Sequence, residues 1–159
     1  MISLIILGII FLYAIISYNT LTRKRNNVDN AFGSIDVMLK KRFDLIPNLV
    51  ATVQQYAKHE EETFTKITNL RTKSYDSLTA EEKADFDKTF TAAKNNFFMV
   101  AENYPALRSS ENFMQLQKTL NETEEQLSAS RRTYNAVSYL LLVGFGIAIV
   151  HKYPESFVP

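Results

Sequence analysis

The chain has 159 residues, 18 Lys+Arg against 17 Asp+Glu for a net charge of +1, 46% apolar residues, and neither Cys nor Trp. That length allows one domain, and the apolar share is enough for a packed core, which excludes wholesale disorder. Missing cysteine excludes disulfide scaffolds, cysteine-ligated zinc, iron–sulfur centres and thiol chemistry, and near-neutral charge argues against a nucleic-acid partner.

The first element is a predicted membrane anchor over residues 1–20. No charged side chain occurs before Arg23, and the apolar run holds Ile2, Leu4, Ile5, Ile6, Leu7, Ile9, Ile10, Phe11, Leu12, Tyr13, Ile15, Ile16 and Tyr18. Seventeen helical residues rise about 26 Å, close to the hydrocarbon thickness of a bilayer. A cleaved signal peptide is disfavoured because no basic region precedes the run and no small-residue cleavage site follows it. Arg23, Lys24 and Arg25 come next, and the positive-inside rule then sets the N-terminus outside and the following domain in the cytoplasm.

Residues 21–136 read as an all-α, antiparallel four-helix bundle. After the anchor a seam advances in steps of four and three: Leu21, Arg25, Val28, Phe32, Ile35, Leu39, Arg42, Ile46, Leu49, Val53, Tyr56, Glu60, Thr63, Ile67, Leu70. Eleven of these fifteen positions are apolar, a coiled-coil-like pattern rather than strand alternation. Pro47 interrupts the pattern without shifting it, so the first two bundle helices, 21–45 and 48–73, are either separate or one helix kinked at Pro47. Thr79 with Glu82 makes a capping box for a third helix over 80–104, with Phe86, Phe90, Ala93, Phe97, Val100 and Tyr104 on its seam. Pro105 ends it, and Ser109 or Ser110 caps a fourth helix over 110–135 carrying Phe113, Leu116, Leu120, Leu127 and Tyr134.

Charges on these seams require partners. Arg25, Arg42 and Glu60 lie on the first seam, and Glu124 and Arg131 lie near the last. Arg42 or Arg25 is expected to meet a carboxylate of another helix, with Asp36 the best local candidate; the other reading has these side chains snorkelling to water.

Several strings resemble the LemA family of membrane-anchored bacterial proteins. They include Arg25-Asn26-x-Val28, Ile35-Asp36-Val37-x-Leu39-Lys40-Lys41-Arg42, Asp44-Leu45-Ile46-Pro47-Asn48-Leu49-Val50, Ala101-Glu102-Asn103-Tyr104-Pro105-x-Leu107 and Arg131-Arg132-x-Tyr134-Asn135. The resemblance spans residues 18–135 and marks Arg25, Asn26, Asp36, Arg42, Pro47, Asn48, Glu102, Tyr104, Pro105, Arg132, Tyr134 and Asn135 as motif positions. It implies one N-terminal transmembrane helix, an outside N-terminus and a cytoplasmic bundle at the bacterial cell membrane, with no established catalytic activity.

Residues 137–159 depart from that family as an atypical hydrophobic tail. No charge occurs in 133–150, and Arg131-Arg132 and His151-Lys152 flank the run. Three readings stand: a second span or re-entrant segment, a helix end packed on its own bundle, or an aberrant terminus.

No catalytic constellation is found. His59-Glu60 opens like a zinc-protease helix, but position 63 is Thr. The Glu60-Glu61-Glu62 run and Glu122, Glu124 and Glu125 lack the Glu-x-x-His pairs of di-metal bundles. The expected function is therefore a membrane-anchored, non-enzymatic interaction or scaffold protein without cofactor or metal. Its expected partners are the lipid bilayer, a protein, and further copies of itself in a homo-oligomer. The alternatives are a carboxylate-rich metal-dependent module and a self-assembling membrane-shaping protein.

Overall fold

The computed structural model describes residues 2–56, 60–70 and 74–145, with side chains at 61, 64 and 140–145 excepted. No strand occurs among the described residues. The helices are α1 (Ile2–Asp44), α2 (Ile46–Tyr56), α3 (Glu61–Asn69), α4 (Ala80–Glu102), α5 (Pro105–Arg108) and α6 (Glu111–Phe145), with a 3-10 turn at Tyr75–Ser77.

α1 is one unbroken helix of 43 residues, about 65 Å long at the usual rise. Its first half stands clear of the protein, with Ile2, Leu7 and Tyr13 77%, 68% and 72% exposed. This stretch is long and apolar enough to cross a membrane. Its second half enters the bundle, where Val28, Ala31, Ile35 and Leu39 are buried.

Pro47 gives a kink rather than a separate helix. A single residue, Leu45, leaves the helix, and its N–H donates to the Arg42 carbonyl, one step shorter than the α-helical pattern. Helical hydrogen bonding resumes when the Leu49 N–H reaches the Leu45 carbonyl. Pro47 lies in the first turn of α2, where a missing N–H has no intrahelical partner to lose.

The register of α6 against α1 runs antiparallel: Phe32 meets Tyr134, Lys41 meets Gln126 and Arg42 meets Glu124. It continues past the kink, where α2 and α6 share a cleft lined by Asn48, Thr52, Gln55, Asn112, Gln115 and Thr119. The α1–α2 pair therefore counts as the first member of an up-down-up-down bundle. α3 and the turn at Tyr75–Ser77 make the descending member, α4 climbs, and α6 descends. The Thr63–Asn96 and Glu60–Tyr104 contacts set α3 against α4, and Lys94–Glu124 sets α4 against α6.

The predicted helix over 48–73 is corrected by this arrangement. Helix α2 ends at Tyr56 and α3 begins at Glu61, with Glu60 non-helical at φ −92° and ψ 61°. α3 runs opposite to α2 and α4, and its Thr63 and Ile67 are buried in the core. The predicted end of the last helix at 135 is also corrected, because α6 runs on to Phe145. Residues 146–159 of the tail lie outside the described residues.

The other boundaries follow their local chemistry. Thr79 accepts from the Glu82 N–H while the Glu82 carboxylate accepts from the Thr79 N–H, closing the capping box. α4 stops at Glu102, Tyr104 is non-helical at φ −122° and ψ 84°, and Pro105 opens the one-turn α5. The Ser110 hydroxyl accepts from the Phe113 N–H at the start of α6. The core is aromatic at two levels. Phe43, Tyr75, Phe86 and Phe90 form one cluster, and Phe97, Phe98 and Phe113 the other.

Candidate functional site

A chain of alternating charges, buried at Arg42 and Asp87, joins α1, α4 and α6. Arg42, 2% exposed, donates one guanidinium nitrogen to Asp87 and the other to Glu124. The second oxygen of Asp87 accepts from Arg131, and Glu124 also accepts from Lys94 at 2.7 Å. The order Lys94–Glu124–Arg42–Asp87–Arg131 alternates sign at every step. The Arg42 guanidinium also lies 5.6 Å from the centre of the Phe90 ring, a cation–π contact.

Burial by itself raises the pKa of Glu124, but the Lys94 hydrogen bond and the charges of Arg42 and Lys94 outweigh it and hold the carboxyl below its ordinary value. A buried arginine shared between two carboxylates fixes which helices meet and at what level, because any slip strands a charge away from water.

As expected, one of the two arginines, Arg42, meets carboxylates from other helices; Arg25 is exposed. Asp36 is corrected as its partner. It accepts from the Tyr75 hydroxyl at 2.8 Å and from Lys83 at 2.7 Å, on the side of α1 that faces the Tyr75 turn. Lys83 also sits 4.6 Å from the centre of the Tyr75 ring. Tyr75 is 2% exposed, and burial first, then the Asp36 hydrogen bond, pushes its hydroxyl pKa well above the ordinary range.

The family-motif residues do not converge on one place. Arg42 belongs to the charge chain, and Tyr134 is buried against Phe32 at 6.1 Å between ring centres. Tyr104 donates to Glu60 at 2.9 Å, and Pro105 starts α5. Arg25, Asn26, Pro47, Asn48, Glu102 and Arg132 are exposed, and Asp36 and Asn135 are half-buried. Arg23 is exposed beside Arg25, with Lys24 half-buried between them. Asp87 and Lys94 escaped the sequence reading. Their spacing with Thr91 marks a polar stripe beside the phenylalanine seam, and that was the available signal.

The acidic runs stay apart. Glu60 serves Tyr104, Glu62 pairs with Lys66 on its own helix, and Glu122 pairs with Lys118. Among the described residues no group of three or more His, Cys, Asp or Glu is placed to hold a metal ion, and His59 lies outside them. The cleft between α2 and α6 measures about 340 Å³ and is lined by amide and hydroxyl side chains with Leu45, Ala51 and Leu116.

The LemA family model matches residues 31–139, the whole interval from the buried half of α1 to the last turns of α6. A Protein LemA of Metamycoplasma hominis is 26% identical over 137 residues, which is 83% of this chain and 61% of that protein. The chain thus spans about three-fifths of that relative's length. The matched interval holds every member of the charge chain and most of the seam that builds the bundle, and on that ground the chain belongs to the LemA family.

Proposed function

We propose that the protein is anchored in the bacterial cell membrane by α1 and presents its bundle in the cytoplasm as a non-enzymatic interaction or scaffold body. The observation that carries the anchor is the exposed apolar half of α1, continuous with the packed half. More than a dozen large apolar side chains in one uncovered stretch exceed what a water-soluble surface carries, and lipid is the medium that removes that cost. Arg23, Lys24 and Arg25 at the end of that stretch support the cytoplasmic assignment.

Two features support an interaction role. The ionisable groups of the central cluster are engaged with one another. The cleft between α2 and α6 offers uncharged hydrogen-bonding groups at the end of the bundle farthest from the apolar stretch, a position suited to contact with a polypeptide.

Three measurements test this. Removing residues 1–20 is expected to shift the protein from the alkaline-extracted membrane pellet to the soluble fraction, and retention in the pellet would reject the anchor. Met99→Cys, at a position 63% exposed on α4, probed in intact cells with a membrane-impermeant maleimide, is expected to stay unlabelled until the cells are opened. Labelling in intact cells would reverse the orientation. For the scaffold role, affinity purification in mild detergent is expected to recover a stoichiometric protein partner, and recovery of this chain alone would count against it.

A further inference from the structure

We infer that the C-terminal end of α6 is a second lipid-contact site, seated in the membrane surface beside the anchor, so that the bundle rests directly on the bilayer. This rests on the anchor reading above. The register carries it. Phe32 faces Tyr134, and Arg42 faces Glu124. The same antiparallel step, carried back along α1, sets Phe145 level with Leu21. Leu21 belongs to the uncharged stretch that ends before Arg23.

The last turns of α6 thus stand at headgroup depth, and their composition fits that level. Tyr139 is 68% exposed, in the amphipathic aromatic role favoured at the membrane boundary. Helical residues 140–145 read Leu-Leu-Leu-Val-Gly-Phe, and the sequence carries no formal charge from there until Lys152. Arg23 and Arg25 are exposed on α1 at the same level as residues 141–143. An apolar stretch of sequence at the same level of the helix pair as these cations matches acyl chains under anionic headgroups. A second copy of the chain would supply the apolar contact but not the reason for its depth.

The absence of Trp from the chain makes the test clean. Full-length Phe11→Trp, Met99→Trp and Phe145→Trp proteins are reconstituted into vesicles of phosphatidylethanolamine and phosphatidylglycerol, with and without brominated acyl chains. Met99 is 63% exposed on α4 and reports water. The expected result is loss of most of the Phe11→Trp emission and a smaller but clear loss of the Phe145→Trp emission to the bromines, with Met99→Trp unaffected. Quenching of Phe11→Trp without Phe145→Trp overturns the second contact and leaves the anchor standing. A blue-shifted Phe145→Trp emission that bromine does not quench identifies protein as the cover and also overturns it. Failure to quench Phe11→Trp rejects the anchor itself.

Discussion

Arg42 of α1 and Asp87 of α4 form an ion pair whose side chains are 2% and 11% exposed, with Arg131 of α6 on the other oxygen of the same aspartate. One carboxylate thereby ties three helices at a single level. Asp87→Ala leaves Arg131 and half of the Arg42 guanidinium without a counter-charge, and is expected to cost about 3–5 kcal/mol. Glu124→Ala removes a carboxylate that is 44% exposed, and solvent screening holds its cost to about 1 kcal/mol or less. Chemical denaturation in detergent checks the order; equal losses would contradict a central role for Asp87.

Stability is expected to fall at both ends of the pH scale. The folded pKa of Glu124 is depressed, so its contribution is present above the unfolded value, about 4.3, and is lost as pH falls through the folded value. The folded pKa of Tyr75 is raised, by burial first and then by Asp36. Its contribution is present below the unfolded value of about 10 and drains as pH climbs toward the folded one. Unfolding midpoints against pH are expected to show a plateau between these limits. Glu124→Gln flattens the acid limb and Tyr75→Phe the alkaline limb.

Gly33 lies inside α1, and a Cβ added there meets no heavy atom within 4 Å. Gly33→Ala is expected to stabilise the protein by about 1 kcal/mol through helix propensity alone. Thr79→Ala removes the cap of α4 and is expected to destabilise it by about 1 kcal/mol. Thermal unfolding of the two single variants should give shifts of opposite sign.

Pro47→Ala is expected to change stability by less than about 1 kcal/mol, because the first turn of α2 does not need that N–H. A larger loss in a denaturant titration would show that the ring itself holds the kink.

The seam was legible because burial in a bundle follows a fixed period. From Val28 to Leu70 every seam position is buried or half-buried in the fold. The oddity of Arg42 was legible too, since a charge on an apolar stripe has to be answered. Its partner was not, because Asp36 lies nearer in sequence yet points to the Tyr75 turn, and only the packing of α4 on α1 selects Asp87. Nor was the reversal between Tyr56 and Glu61. No Gly or Pro occurs in residues 57–60, so the sequence carries no local sign that a helix ends at Tyr56 and another begins at Glu61. The charge chain stayed hidden at Asp87 and Lys94 for a related reason, as each looks like a solvated residue until a second helix covers it.

The unbroken run of α1 makes the molecule a lever. Twenty-six residues separate Tyr18 from Asp44 on one rigid helix, so tilting the lipid-embedded end by about 20° swings Asp44 by roughly 13 Å. A change of tilt in the lipid would then be carried along α1 as far as Asp44, one residue before the kink at Leu45.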